Sequence, residues 1–234
     1  MGIHLPAEPG AYASCPDCPA ARQDVFSTLV GDTKGACAFQ CMTLEPRTPL
    51  PDRWFESYGL GLVRRGVLIR QRVDPQGRAS AIDAAGPGCV ILFKDGVERI
   101  SSAPSGYAAT RLLLCLMPAD ALDAVLSRQD DCALDVLRLQ SEVIERLERI
   151  TDARGRSGVE SRVAALLCAL ADTLTPPQRR NRIPHGLQQR DMAALLGVRH
   201  ETVCRVLGNL ESRGAVTREA DGLTVRDRAL LESM

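Results

Sequence analysis

The sequence predicts an α+β protein with a strand-rich N-terminal half and a helical C-terminal half. Short segments separated by Gly and Pro turns run from about Cys37 to Cys115. Apolar residues then recur at helical spacing after Pro118, and two short amphipathic segments meet at Gly197. We expect four parts, namely an N-terminal arm (1–24), a β domain (25–126), a long helix (127–153) and a C-terminal domain (154–234).

Length and composition restrict the class of protein. The chain has 234 residues, of which 45% are hydrophobic, enough for one large or two modest domains. No apolar run approaches the roughly 20 residues that cross a bilayer, and the N-terminus lacks the pattern of a secretion signal. We therefore expect a soluble, cytoplasmic protein. Nine cysteines, an odd number, then favour metal binding, redox chemistry or burial over a disulfide framework.

The charge is unevenly distributed, although the formal net charge is zero. From Arg154 to the end there are thirteen Arg against nine acidic residues. Residues 1–153 carry sixteen basic and twenty acidic side chains. The C-terminal part is therefore basic, which fits a polyanionic partner despite the neutral total.

The strand-rich part is divided by recognisable turns. Leu60–Val73 predicts two strands around a turn, Asp74-Pro-Gln-Gly77 predicts a hairpin turn, and a strand resumes over 79–83. Gly86-Pro-Gly88 marks another turn. Short strands at this spacing are typical of a small β barrel or sandwich.

One long helix is predicted after a short helix over Ala119–Leu126. Its apolar stripe over roughly 20 residues follows the spacing of a coiled-coil seam, which favours dimerisation over an ordinary core helix. The residues of this stripe are Leu134, Leu137, Ile144, Leu147 and Ile150.

The C-terminal part predicts a helix–turn–helix with a wing. Arg154–Gly158 indicates a hinge, and a helix over 159–174 ends before Thr175-Pro-Pro177. Gly197 supplies the tight turn between two short helices, and Gly214 ends the second. Two β segments around Asp221-Gly222 then form the wing.

This arrangement predicts binding to double-stranded DNA. The alternatives are a protein-binding winged helix or a plain helical hairpin, but the turn, the wing and the basic excess agree with DNA. The candidate base-reading residues are Arg199, His200, Glu201, Cys204 and Arg205. The candidate phosphate contacts are Thr202, Arg213 and Arg218.

The segment Glu201-Thr-Val-Cys204-Arg205-Val-Leu-Gly-Asn-Leu resembles the recognition helix of the CRP/FNR transcription regulators. The order of the predicted elements also resembles that family over nearly the whole chain. The resemblance implies an N-terminal β-roll with the cupin-like fold of cyclic-nucleotide-binding domains, a dimerisation helix and a C-terminal winged helix. It further implies a homodimer that binds a palindromic operator and contacts RNA polymerase. An enzyme is not expected, because no His accompanies a thiol in the β domain.

Two effectors of the family are not expected here. Cyclic-nucleotide members carry Gly-Glu-x-Ala-Leu and Arg-Ser/Thr-Ala elements. The corresponding segments are Gly88-Cys-Val-Ile-Leu-Phe93 and Gly106-Tyr-Ala-Ala-Thr-Arg111, which argues against a cyclic nucleotide. Haem is not expected either, because the histidines lie outside the β region and the long helix; they are His4, His185 and His200.

The cysteine pattern is similar to the FNR branch, which senses oxygen with a 4Fe–4S cluster. Cys15-Pro-Asp-Cys18 resembles the first ligand pair, and Cys115-Leu-Met-Pro resembles the setting of the distant fourth ligand. The third ligand position is occupied by Asp24 rather than Cys. The resemblance therefore implies a cluster on Cys15, Cys18, Asp24 and Cys115, and a regulator that responds to oxygen or nitric oxide.

Other readings of the third position stay open. In one alternative, Cys37 or Cys41 is the third ligand in place of Asp24. In the other, the cluster is absent, and the thiols bind zinc or no metal. A zinc- or thiol-based redox regulator of the same fold is thus the alternative. Three further cysteines are expected to be buried, and one stands on the recognition helix where the FNR branch usually has Ser; they are Cys89, Cys132, Cys168 and Cys204.

Overall fold

The computed structural model describes residues 39–93, 103–127, 131–174, 181–220 and 222–234. The strands are β1 (Gln40–Leu44), β2 (Tyr58–Arg65), β3 (Leu68–Val73), β4 (Ala79–Ala85), β5 (Val90–Leu92), β6 (Ala103–Ala108), β7 (Leu112–Pro118), β8 (Arg182–Pro184), β9 (Val216–Glu219) and β10 (Gly222–Val225). The helices are α1 (Trp54–Ser57), α2 (Ala119–Leu126), α3 (Asp131–Gly155), α4 (Val159–Leu174), α5 (Gln189–Leu196), α6 (His200–Ser212) and α7 (Arg228–Glu232).

The N-terminal strands form two antiparallel sheets, which confirms the predicted β-roll. One sheet has the order β1-β7-β2-β5 and the other has the order β4-β3-β6. Gly66, at φ 90°, turns the chain from β2 into β3, and a Cβ there would meet the Arg111 carbonyl at 2.2 Å. Only glycine therefore fits this turn.

Strand β7 separates two apolar clusters, because alternate side chains of a strand face opposite sides of its sheet. The inner cluster lies between the two sheets and contains Leu44, Leu50, Trp54, Tyr58, Val63, Leu68, Ala85, Ile91, Phe93, Ala108, Leu112, Leu114 and Leu116. The outer cluster lies on the other face and contains Phe39, Leu60, Leu62, Val90, Cys115, Met117 and Leu139. The outer cluster joins the β-roll to helix α3 through Leu139.

Helix α3 has one buried and one exposed apolar face. Leu134, Leu137 and Ile144 are 54–57% exposed. Ile150 was expected on the same stripe, but it is 4% exposed and lies in the chain's own core. At 3.6 residues per turn, Ile150 lies about 220° around the helix from Leu137, so the two cannot share a face. Leu147, the remaining stripe residue, is half-buried.

A buried ion pair also joins α3 to the β-roll. Arg146 donates from Nη2 to Asp83 Oδ2 at 3.1 Å and to the Val90 carbonyl at 3.1 Å. Asp83 is 1% exposed, and Arg70 stands 3.6 Å from the same carboxylate oxygen. Because a buried charge is costly without a partner, this contact fixes where α3 lies on the sheet.

The helices after α3 agree with the sequence prediction. Helix α4 spans the predicted residues 159–174, and Gly158 at φ 83° precedes it. A single core runs from β3 and β4 through α3 and α4 into α5, α6 and the sheet β8-β10-β9. The C-terminal domain is thus packed directly against the β-roll. None of the helices in the described ranges is long and apolar enough to span a membrane.

Replacing Arg146 with Met tests the buried pair, because it keeps apolar volume but removes the main cationic partner of Asp83. Breaking one side of a buried ion pair costs about 3–5 kcal/mol. Since Arg70 remains nearby, we expect the free energy of unfolding to fall by about 3 kcal/mol in urea denaturation followed by circular dichroism. Arg149→Met, which breaks a pair with Glu145 on the same helix and a longer contact with Asp172, both partly exposed, is the control and should cost below about 1 kcal/mol. Equal losses for the two variants would contradict this assignment.

Candidate nucleic-acid interface and thiol site

Helices α5 and α6 form the predicted helix–turn–helix. Gly197 ends α5 in the left-handed conformation, at φ 66° and ψ 34°, as the tight turn requires. Helix α6 then buries four residues against the domain core, namely Val203, Val206, Leu207 and Leu210. Their spacing of three and four places the remaining side chains on the outer face.

The structure places the candidate base-reading residues together at the start of α6. Arg199 is the N-cap residue, and it is exposed together with His200, Glu201 and Arg205. Thr202, proposed for phosphate, is half-buried beside them. The exposed set contains donors and acceptors of the kind that read base edges in the major groove.

Cys204 is less exposed than the sequence suggested. Its thiol lies 2.6 Å from Gln189 Oε1 and 3.4 Å from His200 Nε2. Gln189, at the start of α5, was not among the predicted residues, since no local pattern relates it to a residue fifteen positions later. The contact ties the first turn of α5 to the recognition helix.

The wing is the hairpin β9–β10, paired with β8 on its other edge. Two candidate phosphate contacts, Arg218 on the wing and Arg213 at the end of α6, are engaged in exposed ion pairs. Arg213 Nη1 lies 2.8 Å from Glu160, and Arg218 Nε lies 3.5 Å from Glu211. Exposed pairs of this kind contribute little stability and can exchange for a phosphate. A groove of about 810 Å³ separates the wing from the start of α5 and α6.

Asp191 joins the helix–turn–helix to the β-roll and was missed by sequence analysis. Its carboxylate accepts two hydrogen bonds from Arg47, at 2.6 and 2.9 Å, and one from the Tyr107 hydroxyl at 2.7 Å. It also accepts from the Gln188 backbone N–H at 2.7 Å, in the reciprocal pattern that caps α5. Asp191 itself is 1% exposed.

The Asp191 carboxylate stabilises the protonated forms of the two side chains that donate to it. Burial and the contact with Asp191 raise the pKa of Tyr107, so its hydroxyl stays protonated and remains a donor. The hydrogen bond to Asp191 raises the pKa of Arg47. The spacing Gln188-Gln189-Arg190-Asp191 is the signal in the sequence that could have indicated the cap, though not the partners from the β-roll.

The structure brings two of the candidate metal-ligating residues together. Cys41 on β1 and Cys115 on β7 are direct partners across the sheet, and their Sγ atoms lie 3.1 Å apart. Cys115 is 6% exposed and Cys41 is half-buried. The remaining candidates, Cys15, Cys18, Asp24 and Cys37, lie outside the described residues.

Cys41 is more acidic than an ordinary thiol. Its hydrogen bond with Cys115 lowers the pKa of Cys41 to about 6, against the opposing effect of burial. The Arg64 guanidinium adds to this lowering. Cys41 is therefore largely a thiolate at neutral pH, the form in which cysteine binds metal and reacts.

The donors at this site suit a soft metal or an iron–sulfur cluster. Thiolates are the ligands that zinc and iron–sulfur centres prefer. In the part of the chain that the structure describes, no group of three or more His, Cys, Asp or Glu could hold a metal ion. A complete site would need ligands from outside the described residues, where Cys15, Cys18, Asp24 and Cys37 lie.

Comparison with known proteins identifies the C-terminal domain. Residues 161–234 match the Crp-like helix-turn-helix domain. The "Anaerobic regulatory protein" of Haemophilus influenzae is 21% identical over 168 residues, covering 70% of this chain and 64% of that protein. The "CRP-like cAMP-activated global transcriptional regulator" of Mycobacterium tuberculosis is 27% identical over 173 residues, covering 72% and 75%.

Solved structures agree on the fold. FixK2 from Bradyrhizobium japonicum superposes with a TM-score of 0.67 at 19% identity, covering 83% of this chain and 96% of that one. A CooA mutant from Carboxydothermus hydrogenoformans gives a TM-score of 0.61 at 17% identity, covering 84% and 87%.

A β-roll, a long helix and a winged helix–turn–helix follow one another along the chain. The relatives are named as regulators and not as enzymes. Residues 161–234 belong to the Crp-like helix-turn-helix domain family, and the chain shares the fold of these solved structures.

The acidity of Cys41 can be measured by alkylation. In metal-free, reduced protein, the rate of iodoacetamide modification at Cys41 should reach half its maximum near pH 6, because the thiolate is the reacting form. An ordinary thiol reaches this point at about pH 8.5. Replacing Cys115 with Ala removes the main cause, so the midpoint should move upward. Peptide mass spectrometry follows the modification, and a midpoint near pH 8.5 in the unmodified protein would contradict the assignment.

Proposed function

We propose that the protein is a homodimeric regulator that binds a palindromic operator and responds to oxygen or nitric oxide through the thiols around Cys115. The observation that supports DNA binding most directly is the exposed polar start of α6 inside a Crp-like helix–turn–helix. That end of the recognition helix is the part which contacts base edges in this motif.

The roles on the recognition helix follow from side-chain chemistry. Arg205 and Arg199 suit the O6 and N7 acceptors of guanine, and Glu201 suits the N4 donor of cytosine. Thr202, Arg213 and Arg218 surround them and suit phosphate oxygens. The phosphate contacts would set the register in which the recognition helix reads the bases.

The dimer would form along α3. Leu134, Leu137 and Ile144 are large apolar side chains that the single chain leaves more than half exposed. A second copy of α3 would cover them in the manner of a coiled coil. Two recognition helices related by this axis would contact successive major grooves about 34 Å apart. RNA polymerase is the partner expected for such a regulator on its promoter.

The sensing role rests on where Cys115 lies. Its side chain shares the outer cluster with Leu139, which stands on the buried face of the dimerisation helix. A chemical change at Cys115 would therefore alter how α3 packs on the sheet. A 4Fe–4S cluster held by Cys15, Cys18, Asp24 and Cys115 would supply reactivity toward oxygen and nitric oxide. A signal can shift α3 from one conformation to another only if it binds one of the two conformations more tightly than the other.

The contact between Cys41 and Cys115 favours a second candidate. Two thiols in contact, one of them acidic, also suit a zinc site or thiol redox chemistry without iron. The DNA-binding half of the proposal is the same in both cases. Only the metal content separates them.

Replacing Arg205 with Ala tests the recognition helix. With an operator selected from random DNA by the native protein, binding should weaken by about 1–3 kcal/mol and lose preference at one base pair in each half-site. Arg218→Ala is the contrasting variant, because loss of a phosphate contact weakens all sequences alike and lowers the salt slope by about one. Fluorescence anisotropy at several salt concentrations measures both. Unchanged sequence preference in Arg205→Ala would mean that α6 does not read the bases there.

Purification without oxygen tests the sensor. The protein should be coloured, contain iron and sulfide, and bind its operator as a dimer. Exposure to air should bleach it and weaken the binding. Cys115→Ala should lose the iron, while Cys168→Ala, a buried thiol on α4, should retain it. Colourless, iron-free protein that still binds the operator would reject the cluster, and zinc in its place would support the alternative.

A further inference from the structure

Cys41 and Cys115 stand opposite each other on neighbouring antiparallel strands. The register of β1 and β7 pairs Gln40 with Leu116 and Met42 with Leu114 on either side of them. Both cysteines belong to the outer face of the sheet, where Cys41 packs against the outer cluster that contains Cys115. Nothing in the DNA-binding role uses this contact.

We propose that Cys41 and Cys115 form a reversible disulfide, so that this pair is a site of oxidative modification by peroxides. The effect of the bond on metal binding rests on the proposed function, whereas the bond itself does not. Neither cysteine is in a disulfide here, and their thiols are in contact.

The strand geometry permits the bond without unfolding. Directly opposite residues in antiparallel strands have Cα atoms about 4.5 or 5.5 Å apart, depending on the pair type. Both values fall within the range of about 4.4–6.8 Å that disulfides adopt. The Sγ atoms need to approach from 3.1 Å to about 2.05 Å, a movement that side-chain rotation can supply.

Exposure decides the order of the chemical steps. Cys41 is half-buried and is the thiol that a small oxidant reaches, while Cys115 is 6% exposed. The Cys41 sulfur attacks one peroxide oxygen, the O–O bond breaks, and a sulfenic acid and one water result. The Cys115 sulfur then attacks the Cys41 sulfur, the S–O bond breaks, and the second water leaves with the Cys115 proton. Two thiols and one hydrogen peroxide give one disulfide and two waters, a two-electron oxidation.

The bond would exclude Cys115 from metal binding. A sulfur in a disulfide is not a thiolate and cannot serve as a ligand. The oxidation state of this pair would thus decide whether the proposed site can be filled. It would also cross-link β1 to β7 beside Leu139, at the place where the β-roll meets α3.

Peptide mapping tests the proposal. Full-length protein is reduced, kept in chelator, exposed to hydrogen peroxide, blocked with N-ethylmaleimide and digested with trypsin without reduction. Cleavage places Cys41 on peptide 35–47 and Cys115 on peptide 112–128. We expect these two peptides to be linked in a product that dithiothreitol removes, and the protein to lose two free thiols.

Variants assign the linkage. Cys37 lies on the same peptide as Cys41, so Cys37→Ser should keep the link, and Cys41→Ser should abolish it. Cys168→Ser, which alters a distant buried thiol, is the matched control and should keep it. A link from Cys115 to any other cysteine would overturn the proposal, as would sulfinic acid at Cys41 with Cys115 left free.

A second measurement separates this inference from the proposed function. Oxidised protein should take up no iron from ferrous ion and sulfide until dithiothreitol is added. A mapped disulfide in protein that never binds iron would leave the bond established and reject the cluster. Iron uptake by protein in which the two peptides never link would reject the disulfide alone.

Discussion

The carboxylate of Asp191 is the contact on which the arrangement of the two domains depends. It is almost fully buried, and its hydrogen bonds come from Arg47, Tyr107 and the backbone of Gln188. A buried carboxylate without such partners would be strongly destabilising, so the three segments must meet at one point. Since Asp191 stands in the first turn of α5, the same contact orients the helix–turn–helix and its recognition helix.

Features encoded by neighbouring residues were predictable, and features that join distant segments were not. Helices α2 and α4 were expected over the residues they occupy, because Pro, Gly and apolar spacing mark them locally. The turn at Gly197 followed from its backbone freedom. The hydrogen-bond partner of Asp191, by contrast, is Arg47, which lies 144 residues away, and no periodicity in the sequence predicts this contact.

The same distinction holds for the sites. The start of α6 was predicted from a short motif, and Arg199, His200, Glu201 and Arg205 are exposed there, whereas Cys204 is half-buried. Sequence analysis named Cys41 as an alternative metal ligand. Its contact with Cys115, 74 residues later, depends on how two distant strands pair, which the sequence does not reveal. Ile150 was misplaced for a different reason. The last two steps of the stripe, from Ile144 to Leu147 and on to Ile150, are both three residues long, and each turns it by about 60° around the helix, away from the face of Leu137.

The two faces of α3 have a consequence for the angular relation between the domains. Leu139 meets the thiol-bearing sheet, Ile150 meets the C-terminal core, and Leu137 points outward. Adding or removing one residue between Leu139 and Ile150 would rotate one end of the helix relative to the other by about 100°. The length of this segment therefore sets the rotational phase between the β-roll and the C-terminal domain, and only changes of whole helical turns would preserve it.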